Sequence, residues 1–107
     1  HMKTYLYSIS RKDIPLSQQA IQAAHAAIEY ARLFMTKETS HPSYIHLTIR
    51  DKQQLEKLRA DLQKAGIKTS EFEEPYMDWG LTSISCMLSE EQRHHLKHLQ
   101  LWKNSNT

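Results

Sequence analysis

The stretch YSISRKDIPLSQQAIQAAHAA, residues 7–27, passes from a strand pattern into a helix pattern. Residues 3–10 place Tyr5, Tyr7 and Ile9 at alternating positions, and this aromatic and β-branched pattern is typical of a β-strand. Pro15 suits a helix entry and Ser17 is the predicted N-cap. From Ser17 to about residue 37, apolar positions recur three and four residues apart, which predicts one long helix. The apolar stripe of that helix consists of Ala20, Ile21, Ala24, Ala27, Ile28, Ala31, Phe34 and Met35.

Strand and helix patterns continue to alternate after this first pair. SYIHLTIR, residues 43–50, has the period of two of a strand with one buried face. Asp51 with Gln54 three residues later resembles a capping box, and Gly66 is well placed to end the second helix. Residues 67–74 are a candidate third strand. This part of the chain therefore predicts a β-α-β-α-β order.

The last third of the chain adds one strand and one helix to the prediction. LTSISCML, residues 81–88, reads as a fourth strand, and Ser89 is the expected cap of a final helix that ends near Trp102. The order β-α-β-α-β-β-α predicts an α/β fold: one three-layer α/β/α domain over residues 3–102 with a mixed four-stranded sheet. Residues 103–107 are expected to form a frayed tail.

Length and composition restrict the class of protein. The chain has 107 residues, a formal net charge of +2 and one cysteine, which suits a single domain in a reducing compartment. No apolar run approaches the ~20 residues that a membrane helix needs, and no secretory signal is visible. We therefore expect a cytoplasmic protein without a membrane partner. The mild net charge leaves RNA binding open.

Two polar groups on the first helix are candidates for a site. Gln22 and His25 lie one turn apart, and DWGLTSI at residues 78–84 presents Asp78 and Thr82 at a strand entry that Gly80 makes conformationally permissive. These side chains suggest a polar pocket. The alternative is a solvated helix edge together with a turn in which Asp78 bonds its own backbone. The residues alone leave both interpretations open.

Other chemistry-bearing residues favour simpler explanations. With two glycines in the chain, a glycine-rich phosphate loop cannot form. His94 and His98 have a spacing that can chelate a metal, but a functional site needs further ligands, so we interpret them with His95 as a solvated helix face. Cys86 is interpreted as a small buried hydrophobic residue. We expect neither a metal nor a cofactor.

These two stretches resemble the signatures of the type II peptidyl-tRNA hydrolase family. The family's first-helix motif is matched at Gln22, His25 and Ala26. Its second motif, Asp-x-Gly-x-Thr-x-Ile, is matched by residues 78–84. The resemblance extends over roughly residues 3–100 and implies a peptidyl-tRNA hydrolase type II-like domain. It also implies a translation-related hydrolase that cleaves the ester between a peptide and the 3′ ribose of tRNA without a required metal.

The resemblance also implies roles for individual residues. Asp78 would orient or activate the attacking water, Thr82 would help to hold the site, and Gln22 and His25 would shape the pocket or bond the substrate. The family's helix-one lysine falls at Gln18, which can donate a hydrogen bond but cannot supply its charge.

The departures from the family pattern leave two functions to weigh. Gln18 and the nearest cations, Arg11 and Lys12, would together contact the substrate tRNA. The first function is hydrolysis of peptidyl-tRNA or of a related acylated RNA. The second is a catalytically silent module that binds RNA or a protein on the same fold. Whether the chain forms a homodimer is left open.

Overall fold

A five-stranded mixed β-sheet with an α-helix on each face forms the fold in a computed structural model that describes residues 2–103. Along the chain the elements are β1 (Thr4–Arg11), α1 (Leu16–Phe34), β2 (Ser43–Ile49), α2 (Lys52–Lys64), β3 (Thr69–Glu73), β4 (Leu81–Ser89), a 3₁₀ helix (Glu90–His95) and β5 (Gln100–Leu101). The predicted α/β class is confirmed, and the predicted number of strands is wrong.

β1 lies at the centre of the sheet, whose strand order is β3-β4-β1-β2-β5. It pairs in parallel with β2 and antiparallel with β4, so that Tyr7 lies opposite both Ile45 and Cys86. The parallel pair is joined through α1, as a strand-helix-strand crossover requires. The other pairs, β3 with β4 and β2 with β5, are antiparallel.

One face of the sheet is apolar and packs against α2. Tyr5, Tyr7 and Ile9 alternate along β1 and share one buried cluster with the α2 side chains. The α2 residues in this cluster are Leu55, Leu58 and Leu62. The predicted end signals of α2 are confirmed: the Asp51 carboxylate accepts a hydrogen bond from the Gln54 N–H at 2.9 Å, and Gly66 follows the helix with φ +79°.

The opposite face carries small polar side chains and packs against α1. The Ser8 hydroxyl donates to the Ala23 carbonyl at 2.9 Å, and the Ser70 hydroxyl donates to the Ala26 carbonyl at 2.7 Å. Ala23 and Ala26 are buried. Serine beneath and alanine above let the helix lie close to the sheet, and the Ser8 and Ser70 hydroxyls are satisfied by the helix backbone.

The apolar stripe predicted for α1 does not face the sheet. The buried residues of α1 are Gln19, Gln22, Ala23, Ala26 and Tyr30, whereas Ile21 and Ile28 are 44% and 55% exposed. The prediction was wrong because periodicity assumes an apolar partner surface. The serine face instead selects helix residues that are small or that can form hydrogen bonds.

The C-terminal segment differs from the predicted long helix. The 3₁₀ helix ends at His95, and Gln100 and Leu101 pair with Thr48 and Leu47 of β2. The Trp102 N–H then donates to the His46 carbonyl at 2.8 Å. The free edge of β2 offers unpaired backbone groups, and pairing with them overrides the local helix signals. Of the predicted tail, residues 104–107 lie outside the described residues.

Across residues 2–103, no helix has the length and apolar character needed to cross a membrane.

Candidate functional site

The two signature stretches meet at one end of the sheet. α1 begins beyond the carboxyl end of β1, and β4, which runs antiparallel to β1, enters the sheet at the same end, with Ser83 opposite Ser10. In open α/β sheets this is the end at which ligands usually bind. The topology thus brings residues 18–25 of α1 close to residues 81–83 of β4.

A direct hydrogen bond joins the two stretches. The Thr82 hydroxyl lies 2.6 Å from the Gln22 Oε1, and both residues are fully buried. The Gln22 Nε2 donates to the Glu74 Oε1 at 2.9 Å and contacts the Gln18 Oε1 at 3.3 Å. Because both ends of the Gln22 amide are satisfied, its orientation is fixed. Gln22 and Thr82 therefore form a rigid polar floor for any site at this end.

His25 lies beside this floor and is exposed to solvent. Its ring stacks on Phe72, with ring centroids 4.3 Å apart and planes 9° from parallel. The Phe72 carbonyl is itself 3.0 Å from the Thr82 hydroxyl. Gln18 is half-buried in the first turn of α1, where the helix N-terminus favours negative charge. The structure thus brings together four predicted site residues: Gln18, Gln22, His25 and Thr82.

The carboxylate that contacts Gln22 is Glu74, which the sequence analysis did not identify. Asp78 is exposed in the turn between β3 and β4, four residues beyond Glu74. Within residues 2–103, the hydrogen-bond network around Gln22 includes Glu74 and does not include Asp78. No motif marks Glu74; its only signal is an acidic residue directly before Pro75 at the end of a predicted strand.

Arg11 is buried and holds the turn that carries Asp78. Its guanidinium makes a two-point contact with the Asp13 carboxylate at 2.8 and 3.0 Å. It also donates to the carbonyls of Trp79 and Leu81. Four of the five guanidinium N–H groups of Arg11 thus donate hydrogen bonds to other residues of the protein. This places Arg11 as a positioning residue, and its predicted contact with substrate stays a prediction.

Exposed cations surround the same end of the sheet. Lys12 follows β1, and Arg50 and Lys52 follow β2. Lys12 and Arg50 line one cleft of about 270 Å³. Gly80 has φ +70°, and a Cβ built there would lie 2.9 Å from the Lys52 Cδ and 3.3 Å from its Nζ. The Lys52 side chain therefore crosses the backbone of the Asp78 turn.

The remaining candidates have structural explanations. Cys86 is fully buried, as predicted, and burial raises the pKa of its thiol to about 12. His94 lies on the 3₁₀ helix, where its Nδ1 contacts the Glu91 carbonyl at 2.8 Å. Among the residues that the structure describes, no three His, Cys, Asp or Glu side chains are grouped so that they could hold a metal ion.

Comparisons with known proteins give a fold likeness. No protein-family model matches the chain, and no curated protein matches its sequence. The structure is similar to that of a protein of unknown function from Agrobacterium tumefaciens strain C58, with a TM-score of 0.74 and 12% identity over 96% of this chain and 100% of that one. At this identity the likeness concerns the fold alone.

Proposed function

We propose that the chain hydrolyses the ester between a peptide, or an N-blocked amino acid, and the 3′ end of tRNA. The observation that supports this most is the 2.6 Å bond between Thr82 and Gln22. It joins the two stretches that resemble the type II peptidyl-tRNA hydrolase signatures, which lie 60 residues apart in sequence. The proposal also places the protein in translation, in the cytoplasm.

The exposed groups around the floor would carry the chemistry. Asp78 is the general base that activates water, since its carboxylate is exposed in the turn before Thr82. His25 and Gln18 donate hydrogen bonds to the acyl ester or to its developing oxyanion. Gln22 and Thr82 are fully buried and act by positioning Glu74 and the helix. Lys12 and the nearby cations Arg50 and Lys52 contact tRNA phosphates.

The direct test is release of an N-acetylated amino acid from its tRNA by the purified protein. Asp78→Asn is expected to lower kcat/KM by about 10²-fold, because it removes the base while keeping the side-chain size. Asp61→Asn is the matched control, since Asp61 is equally an exposed aspartate but lies on α2. Equal rates for the parent and Asp78→Asn would contradict the role of Asp78.

A catalytically silent module that binds RNA or a protein is the second candidate. Gln18 favours it, because this residue cannot supply the charge of the family lysine. Binding of tRNA without turnover in the parent, together with turnover in Gln18→Lys, would establish an RNA-binding module disarmed at one position. A tRNA affinity that falls steeply with salt would indicate phosphate contacts. A parent that neither cleaves nor binds tRNA at low salt would overturn both RNA functions.

A homodimer through α1 fits the exposed apolar residues of this helix. Ile21, Ala24 and Ile28 are exposed and spaced three and four residues apart, so they lie on one outward stripe. A two-fold axis between residues 24 and 25 would set Ile21 of each copy against Ile28 of the other, and Ala24 would permit close approach. A self-complementary patch of this kind is what a two-fold interface requires.

We expect Ile28→Asp to shift the protein from dimer to monomer, because an aspartate buried against Ile21 of the other copy would be unpaired. Sedimentation velocity at micromolar concentration measures the change. Leu101→Asp is the control, since Leu101 is 63% exposed at the other end of the chain. A monomeric parent, or a dimer that persists in Ile28→Asp, would contradict this interface.

A further inference from the structure

A cleft of about 660 Å³ lies on the face of the sheet opposite α1. α2 packs mainly on β4, β1 and β3. Over β2 the face is covered by Leu96 and Leu99 of the segment that follows β4, which share one cluster with Ile45 and Leu47. The cleft opens between that segment and the sheet. Its apolar lining comes from Ile45, Leu47, Leu96, Leu99 and Leu101. Its volume lies within the range of clefts that bind small molecules, about 300–1,000 Å³.

One edge of the cleft carries an ordered cation. The Arg93 Nε donates to the Tyr7 hydroxyl at 2.8 Å, and the guanidinium lies 4.1 Å from the centre of the Tyr5 ring. Glu90 fixes the same group, since it accepts from the Tyr5 hydroxyl at 2.7 Å and lies 3.6 Å from the Arg93 Nη1. Among the described residues the Arg93 Nη2 donates no hydrogen bond, which leaves its N–H groups for a ligand.

The charge at this edge favours an anion. Arg93, His94 and Lys97 line the cleft together with one carboxylate, Glu90. Glu90 is already engaged by Tyr5 and Arg93, whereas Lys97 is exposed at the rim. An apolar floor with an ordered guanidinium and a lysine at one end matches a ligand with an apolar body and a single carboxylate.

We propose that this cleft binds a small amphiphilic monocarboxylate. The carboxylate lies at Arg93 and Lys97, and the hydrocarbon body lies against the leucine side chains. The site is separate from the candidate hydrolase site, since the Gln22–Thr82 floor is formed with α1 on the other face of the sheet. Ligand binding in this cleft is therefore independent of the proposed hydrolase function and does not require that function to be correct.

The test uses decanoate as the probe, below its micelle concentration, with the methyl NMR signals of the protein as the readout. We expect saturable shifts confined to the methyl groups that line the cleft, those of Ile45, Leu47, Leu96, Leu99 and Leu101. Decyltrimethylammonium, which has the same chain and the opposite charge, is expected to bind at least tenfold more weakly. Equal affinity for the two probes, or decanoate shifts that do not saturate, would overturn the proposal.

Two variants test the cationic edge. Lys97→Met is expected to weaken decanoate binding about fivefold or more, and Lys97 is exposed, so the fold is not at risk. Lys57→Met is the control, since Lys57 is an exposed lysine on α2 paired with Asp61. The affinity of this variant for decanoate should stay within twofold of that of the parent. Unchanged affinity in Lys97→Met would overturn the placement of the carboxylate.

Discussion

Replacing Arg11 with methionine is expected to lower the free energy of unfolding by about 2 to 4 kcal/mol. Methionine keeps the aliphatic stem but removes the donors that hold the carbonyls of Trp79 and Leu81. An acceptor left unpaired in a buried position costs about 1 to 3 kcal/mol. Asp13 adds less, because its side chain is 40% exposed and regains water when the arginine is removed.

Urea unfolding of the parent, Arg11→Met and Arg50→Met measures this effect. Arg50 is the matched control, since its side chain is 70% exposed and its ion pair with Asp51 lies at the surface, so its replacement should cost at most about 1 kcal/mol. Arg11→Lys should recover only part of the loss, because one ammonium cannot reproduce the planar fork. Equal stability of the two methionine variants would contradict the structural role of Arg11.

The protein is expected to lose about 2 kcal/mol of stability through His46 as the pH falls from 7 to 4. Burial lowers the pKa of His46 from 6.5 to about 4. Between these two values the unfolded chain binds a proton that the folded chain does not, so stability rises with pH in this window and is lost on acidification. The figure is reduced from the full pKa difference because the ring is only partly buried.

The surroundings of His46 explain why the neutral ring is retained. Its Nε2 lies 2.7 Å from the Ser10 hydroxyl, and the ring stacks on Trp102 with centroids 5.0 Å apart. His46→Gln keeps a polar partner for Ser10 and removes the titration. The difference between the stability-pH curves of the parent and this variant should therefore be confined to about pH 4–6.5.

His41→Gln provides the comparison for this pH experiment, since His41 is exposed. We expect its stability-pH curve to follow that of the parent. The histidines other than His41 and His46 are unchanged in all three proteins, so any contribution from them cancels in the difference curves. A curve for His46→Gln that also follows the parent over pH 4–6.5 would contradict a contribution from His46.

The buried face of α1 could not be predicted from the sequence. The period of three and four correctly predicted that α1 is a helix, but it assigned Ile21 and Ile28 to the buried side. The residues under α1 are Ser8, Ser70 and other small polar side chains contributed by three strands. These side chains form one surface only after the strands have paired, and local periodicity carries no information about strand pairing.

The residues of the candidate site were likewise only partly predictable from the sequence. Gln22, His25, Asp78 and Thr82 were singled out from spacing and resemblance, and the structure joins Gln22 to Thr82 directly. Glu74 was not singled out, because a strand-end glutamate before a proline is ordinary in sequence. Its contact with Gln22 arises only when β3 pairs with β4 and α1 packs over both.

Local sequence was enough to predict the alternation of strands and helices up to β4, the caps of α2 and the burial of Cys86, because these depend on residues close in the chain or on hydrophobicity alone. Three features emerge only in the folded chain: the buried face of α1, the pairing of Gln100 and Leu101 with β2, and the hold of Arg11 on the turn that carries Asp78. Each of these depends on backbone and side-chain groups from distant positions in the chain. Once those groups lie close together, pairing their hydrogen-bond donors and acceptors outweighs the local propensity for helix or strand.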